Sequence, residues 1–329
     1  MGKLKMYNSN MNKMKHYLCI LIGGALAFSA CIKENMGACP PDTPGDPEPL
    51  ETRILFSYDE TGVTPVKELG LENAMLYVFD SNNRLVGFRE IDNPRLDSVY
   101  NNLISLNPGN YSFVVWMNPL SDPYAITPSE IGSTLKSDGR FSLKIPADTL
   151  IDSPALPLSM YGQKEEILQA GGNQADGSNE VVIPVYQNTN RINISLSGLQ
   201  ATSNRIRFAI TDNNGMYTFD NDFDPSCRFF SYIADATYSS TDHLNVSLTV
   251  LQLAGNHPTP VLSIKNLTTG NNIWSYNLIE ILNTLYPGND FKKKHVYDID
   301  IEFKEVNMEV WINGWEIISS NNELTPWQF

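Results

Sequence analysis

Cys31 is the residue best placed to do chemistry. Lys15 follows Met14, residues 17–30 form an apolar run, and Phe28-Ser29-Ala30 lead into the thiol. A basic start, a short apolar stretch and small residues before a cut site are the layout of a signal peptide. A cysteine directly after the cut makes it a lipoprotein signal. The thiol takes a diacylglyceryl group, the Ala30–Cys31 bond is cut, and the freed amine is acylated. Residues 1–30 are then expected to leave, with residues 1–13, which hold Met1, Met6 and Met11, an over-extended start. A spanning helix needs about 20 apolar residues. The run 17–30 is shorter and stops at a polar, Pro-rich stretch. A single acyl chain holds a protein marginally and several hold it stably, so the expected attachment to membrane is through lipid.

The remaining reactive residues form no recognisable catalytic pattern. There is no G-x-S-x-G elbow, no H-E-x-x-H and no P-loop. Beyond the signal, His243, His257 and His295 are scattered without ligand-like spacing. No enzyme and no cofactor are expected. Asp220-Asn221-Asp222-Phe223-Asp224, after Asp212-Asn213-Asn214-Gly215, clusters oxygens that could hold calcium. It lacks the EF-hand spacing, and Asn-Gly is the preferred two-residue hairpin turn, so a solvated turn and no metal site are expected. Asn193, Asn245 and Asn266 open matches to the glycosylation sequon that are read as chance. Cys19 leaves with the signal, so Cys39 and Cys227 remain either to pair in an oxidising compartment or to stand as lone thiols. Trp116, Trp274, Trp311 and Trp315 lie in or beside strand-like runs, where they either pack in a core or form a sugar-stacking platform.

The elements that must position these residues are short strands. Residues 32–50 carry Pro40, Pro41, Pro44, Pro47 and Pro49 and read as an extended tether; at about 3.1 Å per residue it reaches roughly 50 to 60 Å. Beyond it, residues 53–58, 74–79, 84–88, 111–116, 181–186, 191–196, 205–211, 243–253, 261–266 and 296–303 are β-branched, aromatic or alternating runs bounded by turn residues. Their spacing predicts antiparallel β-sandwiches. One helix is expected over 275–285, with Leu278, Ile281, Leu282 and Leu285 on one face before Pro287-Gly288. Residues 163–179 are rich in Gly, Gln and Asn and predict an exposed loop. The expected organisation is signal 1–30, lipidated tether 31–50, and β-sandwich domains over 51–187 and 188–329.

The net charge is −14, and residues 1–30 contribute four lysines and no acid, so the body is more acidic still. Such a body argues against nucleic acid and against electrostatic docking to anionic lipid. The segment 305–318 is strongly strand-like and lies near the end of the chain. Val310, Trp311, Ile312, Trp315 and Ile317 are candidates for contact with another subunit, because a terminal strand either closes its own sheet or completes a neighbour's.

Several short segments carry a resemblance in their order and spacing. They are Cys31-Ile32-Lys33-Glu34-Asn35 with Cys39-Pro40, Leu76-Tyr77-Val78-Phe79-Asp80, Gly109-Asn110-Tyr111-Ser112-Phe113-Val114-Val115-Trp116 and Trp311-Ile312-Asn313-Gly314-Trp315. The chain resembles the fimbrial anchor lipoproteins, or fimbrillin-associated minor fimbrial subunits, of Bacteroidales. The resemblance implies two tandem transthyretin-like domains displayed outside the outer membrane, with fimbrial stalk or accessory subunits as partners. It also implies that Lys33 and Glu34 serve as a surface-export signal; on charge alone they are equally an ordinary linker pair. Stalk subunits of such families polymerise by strand exchange after losing an N-terminal strand, whereas an anchor keeps its lipidated N-terminus and begins or limits the fibre. The alternative is a surface glycan-binding lipoprotein, for which lipid, tether and sandwiches would look the same.

Overall fold

The computed structural model describes residues 48–58, 69–96, 102–127, 129–175, 177–199, 205–237, 243–304 and 309–317. The signal and most of the tether, with Cys31, Lys33, Glu34 and Cys39, lie outside these residues.

The first half holds β1 (Leu50–Tyr58), β2 (Asn73–Asp80), β3 (Leu85–Asp92), β4 (Asn102–Leu106), β5 (Gly109–Met117), β6 (Tyr124–Ile126), β7 (Arg140–Leu143), β8 (Leu150–Asp152), β9 (Met160–Leu168) and β10 (Asn179–Gln187). Seven of these strands form one sheet in the order β3-β2-β5-β9-β10-β1-β4. Its ends meet, because Arg89 Nη1 on β3 donates to Leu103 O on β4 at 2.6 Å. The sheet thus wraps an apolar interior that includes Ile54, Phe56, Leu76, Val78, Phe113, Val115, Val181 and Ile183. Its outer face is also covered along β2 and β5, where Tyr77, Phe79, Val114 and Trp116 join a second core. Burial on both faces is why these two strands read as unbroken apolar runs.

The second half holds β11 (Thr189–Ser197), β12 (Arg205–Asp212), β13 (Met216–Thr218), β14 (Phe230–Thr237), β15 (His243–Leu251), β16 (Val261–Asn266), β17 (Asn272–Asn277), α1 (Leu278–Leu285), β18 (Val296–Lys304), β19 (Glu309–Ile312) and β20 (Trp315–Ile317). Two sheets, β15-β11-β18-β19-β20 and β17-β16-β12-β14-β8, enclose a core fed by strict alternation. Ile192, Ile194, Leu196, Ile299 and Ile301 from one sheet and Ile206, Phe208, Ile210, Leu262 and Ile264 from the other share that core. Helix α1 is shorter than expected. Asn277 caps it, its side chain accepting from Glu280 N at 3.0 Å, while Ser275 belongs to β17.

The architecture is all-β with one short helix, and most strand pairs are antiparallel. Three pairs are parallel: β1 with β10, β11 with β18, and β14 with β8. The backbone passes from β10 to β11 through Asn188 alone. The excursion from β6 to β8 leaves the first half to pair with strands of the second. β7 joins β13, β8 joins β14, and Ser153 Oγ donates to Thr249 O at 2.7 Å. Residues 163–168, expected in a loop, form most of β9 and pair with β5 along its length.

Candidate functional site

The tether runs directly into β1, and β1 is an inner strand. It lies parallel to β10, from Thr52 opposite Asn179 to Tyr58 opposite Val185, and antiparallel to β4, from Leu50 opposite Leu106 to Ile54 opposite Asn102. Thr52, Ile54 and Phe56 are buried beneath it. On the outer face Arg53 Nη1 sits 3.4 Å from Glu180 Oε2 across the β1–β10 ladder, a half-exposed pair of small energetic weight. If β1 were absent, a slot between β10 and β4 would be left open. With β1 in place that slot is filled by the protein's own chain. β1 was legible in sequence as a β-branched and aromatic run, but its neighbours were not.

The opposite end of the chain is a hairpin rather than a single strand. Asn313 (φ 46°) and Gly314 (φ 79°) turn β19 into β20, as an Asn-Gly pair at positive φ does. The turn is tied to β18, because Asn313 Oδ1 accepts from Asp300 N at 2.6 Å and Asn313 N donates to Asp300 O at 2.8 Å. Val310 and Ile312 point into the core, while Trp311 lies half-buried with Lys304 Nζ 3.8 Å over its ring. Of the candidate contact residues, the side chains of Trp315 and Ile317 lie outside the described set. Among the described residues β20 is the last strand of its sheet, so the hairpin extends its own domain.

The first acidic loop, 212–215, is buried rather than solvated, whereas Asp220 and Asp222 in the second are exposed. Asp212 is fully buried, and its Oδ1 accepts from Asn213 N at 2.8 Å and meets His257 Nε2 at 3.0 Å and Thr259 Oγ1 at 2.5 Å. Burial pushes its carboxyl above the usual range, against those hydrogen bonds. His257 Nε2 also meets Thr259 Oγ1 at 2.7 Å. Acid and hydroxyl therefore share one ring nitrogen, which does not make the two-nitrogen relay of a catalytic triad. Asp220 and Asp224 are engaged by the excursion: Lys136 Nζ lies 2.5 Å from Asp220 Oδ1, and Arg140 Nε donates to Asp224 Oδ2 at 2.7 Å. Hydrogen bonds from Ser226, with Arg140, hold the Asp224 carboxyl below the usual range. These carboxylates bind the two halves together. Among the described residues no three His, Cys, Asp or Glu side chains are grouped to hold a metal ion. An open cleft of about 400 Å³ lies beside this cluster, lined in part by Asn221, Phe223, Gln252, His257 and Asn289.

The aromatic platform is largely removed by burial. Trp116 and Trp274 lie in the core, the first stacked on Phe141 at 4.3 Å. Cys227 is a buried free thiol whose ionisation burial pushes upward, which makes it a poor nucleophile. Among the described residues no helix is long and apolar enough to cross a membrane.

The chain is similar to several solved structures. The fimbrial anchor protein Mfa2 from Porphyromonas gingivalis is 22% identical with a TM-score of 0.65, over 82% of this chain and 99% of that one. A putative polysaccharide binding protein from Bacteroides thetaiotaomicron is 18% identical with a TM-score of 0.66, over 83% and 99%. A putative adhesin from Bacteroides ovatus is 16% identical with a TM-score of 0.65, over 83% and 96%. These likenesses establish a shared fold. No curated protein matches the sequence. The sequence profile of the fimbrillin-A associated anchor proteins Mfa1 and Mfa2 matches residues 38–321, most of the chain. The chain therefore belongs to the family of fimbrillin-A associated anchor proteins and is a fimbrium-associated subunit.

Proposed function

We propose that the protein is acylated at Cys31, held in the outer membrane by that lipid, and serves outside the cell as the structural attachment point of a fimbrium. The role involves no catalytic step and no cofactor. Family membership supports the fimbrial part of this reading. The observation that carries the anchoring part is the path of the chain: the Pro-rich tether enters β1, and β1 is locked between β10 and β4. A subunit whose own strand fills that slot cannot accept a neighbour's strand there. It can begin or end a fibre, and among the described residues the outer strands of its sheets lie elsewhere, β20 among them. The partners are then the stalk or accessory subunits.

Cys31→Ala tests the lipid attachment. The variant is expected to move from the membrane to the soluble fraction on cell fractionation and to shed its fibres into the medium. Full membrane retention of Cys31→Ala would refute the acyl anchor.

A further inference from the structure

A body held by a tether receives tension at the first strand the tether enters, so the bonding of that strand decides how the body yields. Here that strand is β1, and its direction relative to β10 fixes the geometry. The two strands are parallel, with Thr52 opposite Asn179 at one end and Tyr58 opposite Val185 at the other. The tether enters at Leu50, beside the start of β10. The second half begins one residue past Gln187, at the finish of β10. The two points of attachment are therefore at opposite ends of one ladder. A pull between them runs along the axis of β1 and loads the hydrogen bonds on both its flanks sideways and together. Had the strands been antiparallel, tether and second half would leave from the same end, and the bonds would open one after another.

The second half repeats the arrangement. Its first strand, β11, is parallel to β18, from Arg191 opposite Val296 to Ser197 opposite Glu302. β18 in turn leads to the terminal hairpin and its outer edge. Tension between the tether and a partner on that edge crosses two parallel ladders in series.

We propose that the β1–β10 and β11–β18 ladders are mechanical clamps that keep the subunit folded when the fimbrium is pulled. The function of the clamps rests on the anchoring reading, while their strength is a property of the fold and is measured separately. The same sheet supplies a contrasting direction. Ile91, Ala74, Met117, Met160 and Gln187 fall in one row across it, through successive register partners. A pull applied at Asn93 therefore starts from the same end as the second half. It acts on β3, which terminates the sheet beside β2, and peels that strand bond by bond.

Single-molecule force spectroscopy on the full mature chain tests this, with Cys31→Ser and Cys39→Ser and a fixed attachment at the C-terminus. Forced rupture reports the unfolding barrier along the pulled direction. Pulling through the tether is expected to need roughly twofold or more the force of pulling through Asn93→Cys, because one path breaks its bonds together and the other in sequence. Equal forces, or a weaker tether path, overturn the proposal. In a second arm, Leu55→Cys with Val182→Cys joins register partners on the outer face of β1 and β10. Oxidation is expected to abolish the first-half rupture and reduction to restore it. Persistence of that rupture in the oxidised chain also overturns the proposal, since some element other than β1 would then be giving way. Failure of Cys31→Ala to leave the membrane would remove the source of tension but leave both force results unchanged, so the two readings fail separately.

Discussion

Trp116→Ala should weaken the whole body, and Trp116→Phe should not. The indole is fully buried, lies flat on Phe141 with 4.3 Å between ring centroids, and meets Tyr161 at 4.9 Å. Truncating a buried tryptophan to alanine costs about 3–5 kcal/mol, from lost apolar burial and the cavity left behind. One feature lowers that figure. Nε1 is buried without a hydrogen-bond partner, and an unsatisfied buried donor carries a penalty of about 1–3 kcal/mol that the substitution relieves. The expected net loss is therefore about 2 kcal/mol. Phenylalanine keeps a ring on Phe141 and also removes the orphan N–H, so its cost should stay below about 1 kcal/mol. Phe141 belongs to β7, which pairs with β13 of the second half. Both halves should then lose stability in a single transition. Urea unfolding of the soluble body, followed by far-ultraviolet circular dichroism and by tryptophan fluorescence, reads all three quantities. A loss below about 1 kcal/mol for Trp116→Ala would place the indole outside a tight core. Equal losses for Phe and Ala would refute the role given to the ring stacked on Phe141.

Two further outcomes are expected. His295 is buried, and desolvation holds its ring below the ordinary histidine value. A lowered native value means stability is intact above the unfolded value of about 6.5 and falls as pH drops through the native one. Urea midpoints taken from pH 8 down to pH 5 should decline below about pH 6.5, and His295→Gln should flatten that decline; an unchanged slope in the variant would refute the assignment. Asp212, raised by burial, acts with the opposite sign and in its own acidic window, above the unfolded carboxylate value, so the variant isolates the histidine. At Gly162, an added Cβ would lie 2.7 Å from Pro184 O and 2.7 Å from Val185 Cγ1, pressed against β10. Gly162→Ala should cost about 1–3 kcal/mol or more by overpacking, seen as a lower melting temperature; a neutral result would mean that β9 and β10 separate freely.

The strands with clear alternation or unbroken apolar runs were legible in the sequence, because each has a face or two faces in a core. What stayed hidden depends on partners far away in the chain. Residues 163–168 look like loop, since Gln163, Lys164, Glu165 and Glu166 give no apolar period, yet β5 supplies hydrogen bonds that polarity does not forbid. β6, β7 and β8 are three or four residues long, too short to carry a period, and only their pairing, β6 with β7 and β7 and β8 with strands of the second half, makes them strands. The Asn214-Gly215 pair reads as a solvated turn but lies under Tyr232, whose hydroxyl donates to Asn214 Oδ1 at 2.8 Å. Asn313-Gly314 is the reverse case: the same dipeptide does make a hairpin turn, and it was passed over inside a long strand-like run. No local pattern distinguishes a parallel from an antiparallel partner. The seat of β1, on which the proposed function turns, was therefore invisible.

That seat gives the two ends of the body opposite properties. β1 is bonded on both flanks and sends Ile54 and Phe56 into the core, so withdrawing it would expose apolar surface and open two ladders. Among the described residues β20 is bonded on one flank, through three residues opposite β19, and it is the last strand of its sheet. A partner seeking main-chain hydrogen bonds meets a closed slot at the tethered end and the last described strand of a sheet at the other. Acting by strand addition, it would meet no described strand to displace at the terminal hairpin. On the proposed reading this asymmetry suits an attachment point: the strand that joins the tether is bonded on both flanks, and the strand offered to the fibre has few bonds of its own to lose.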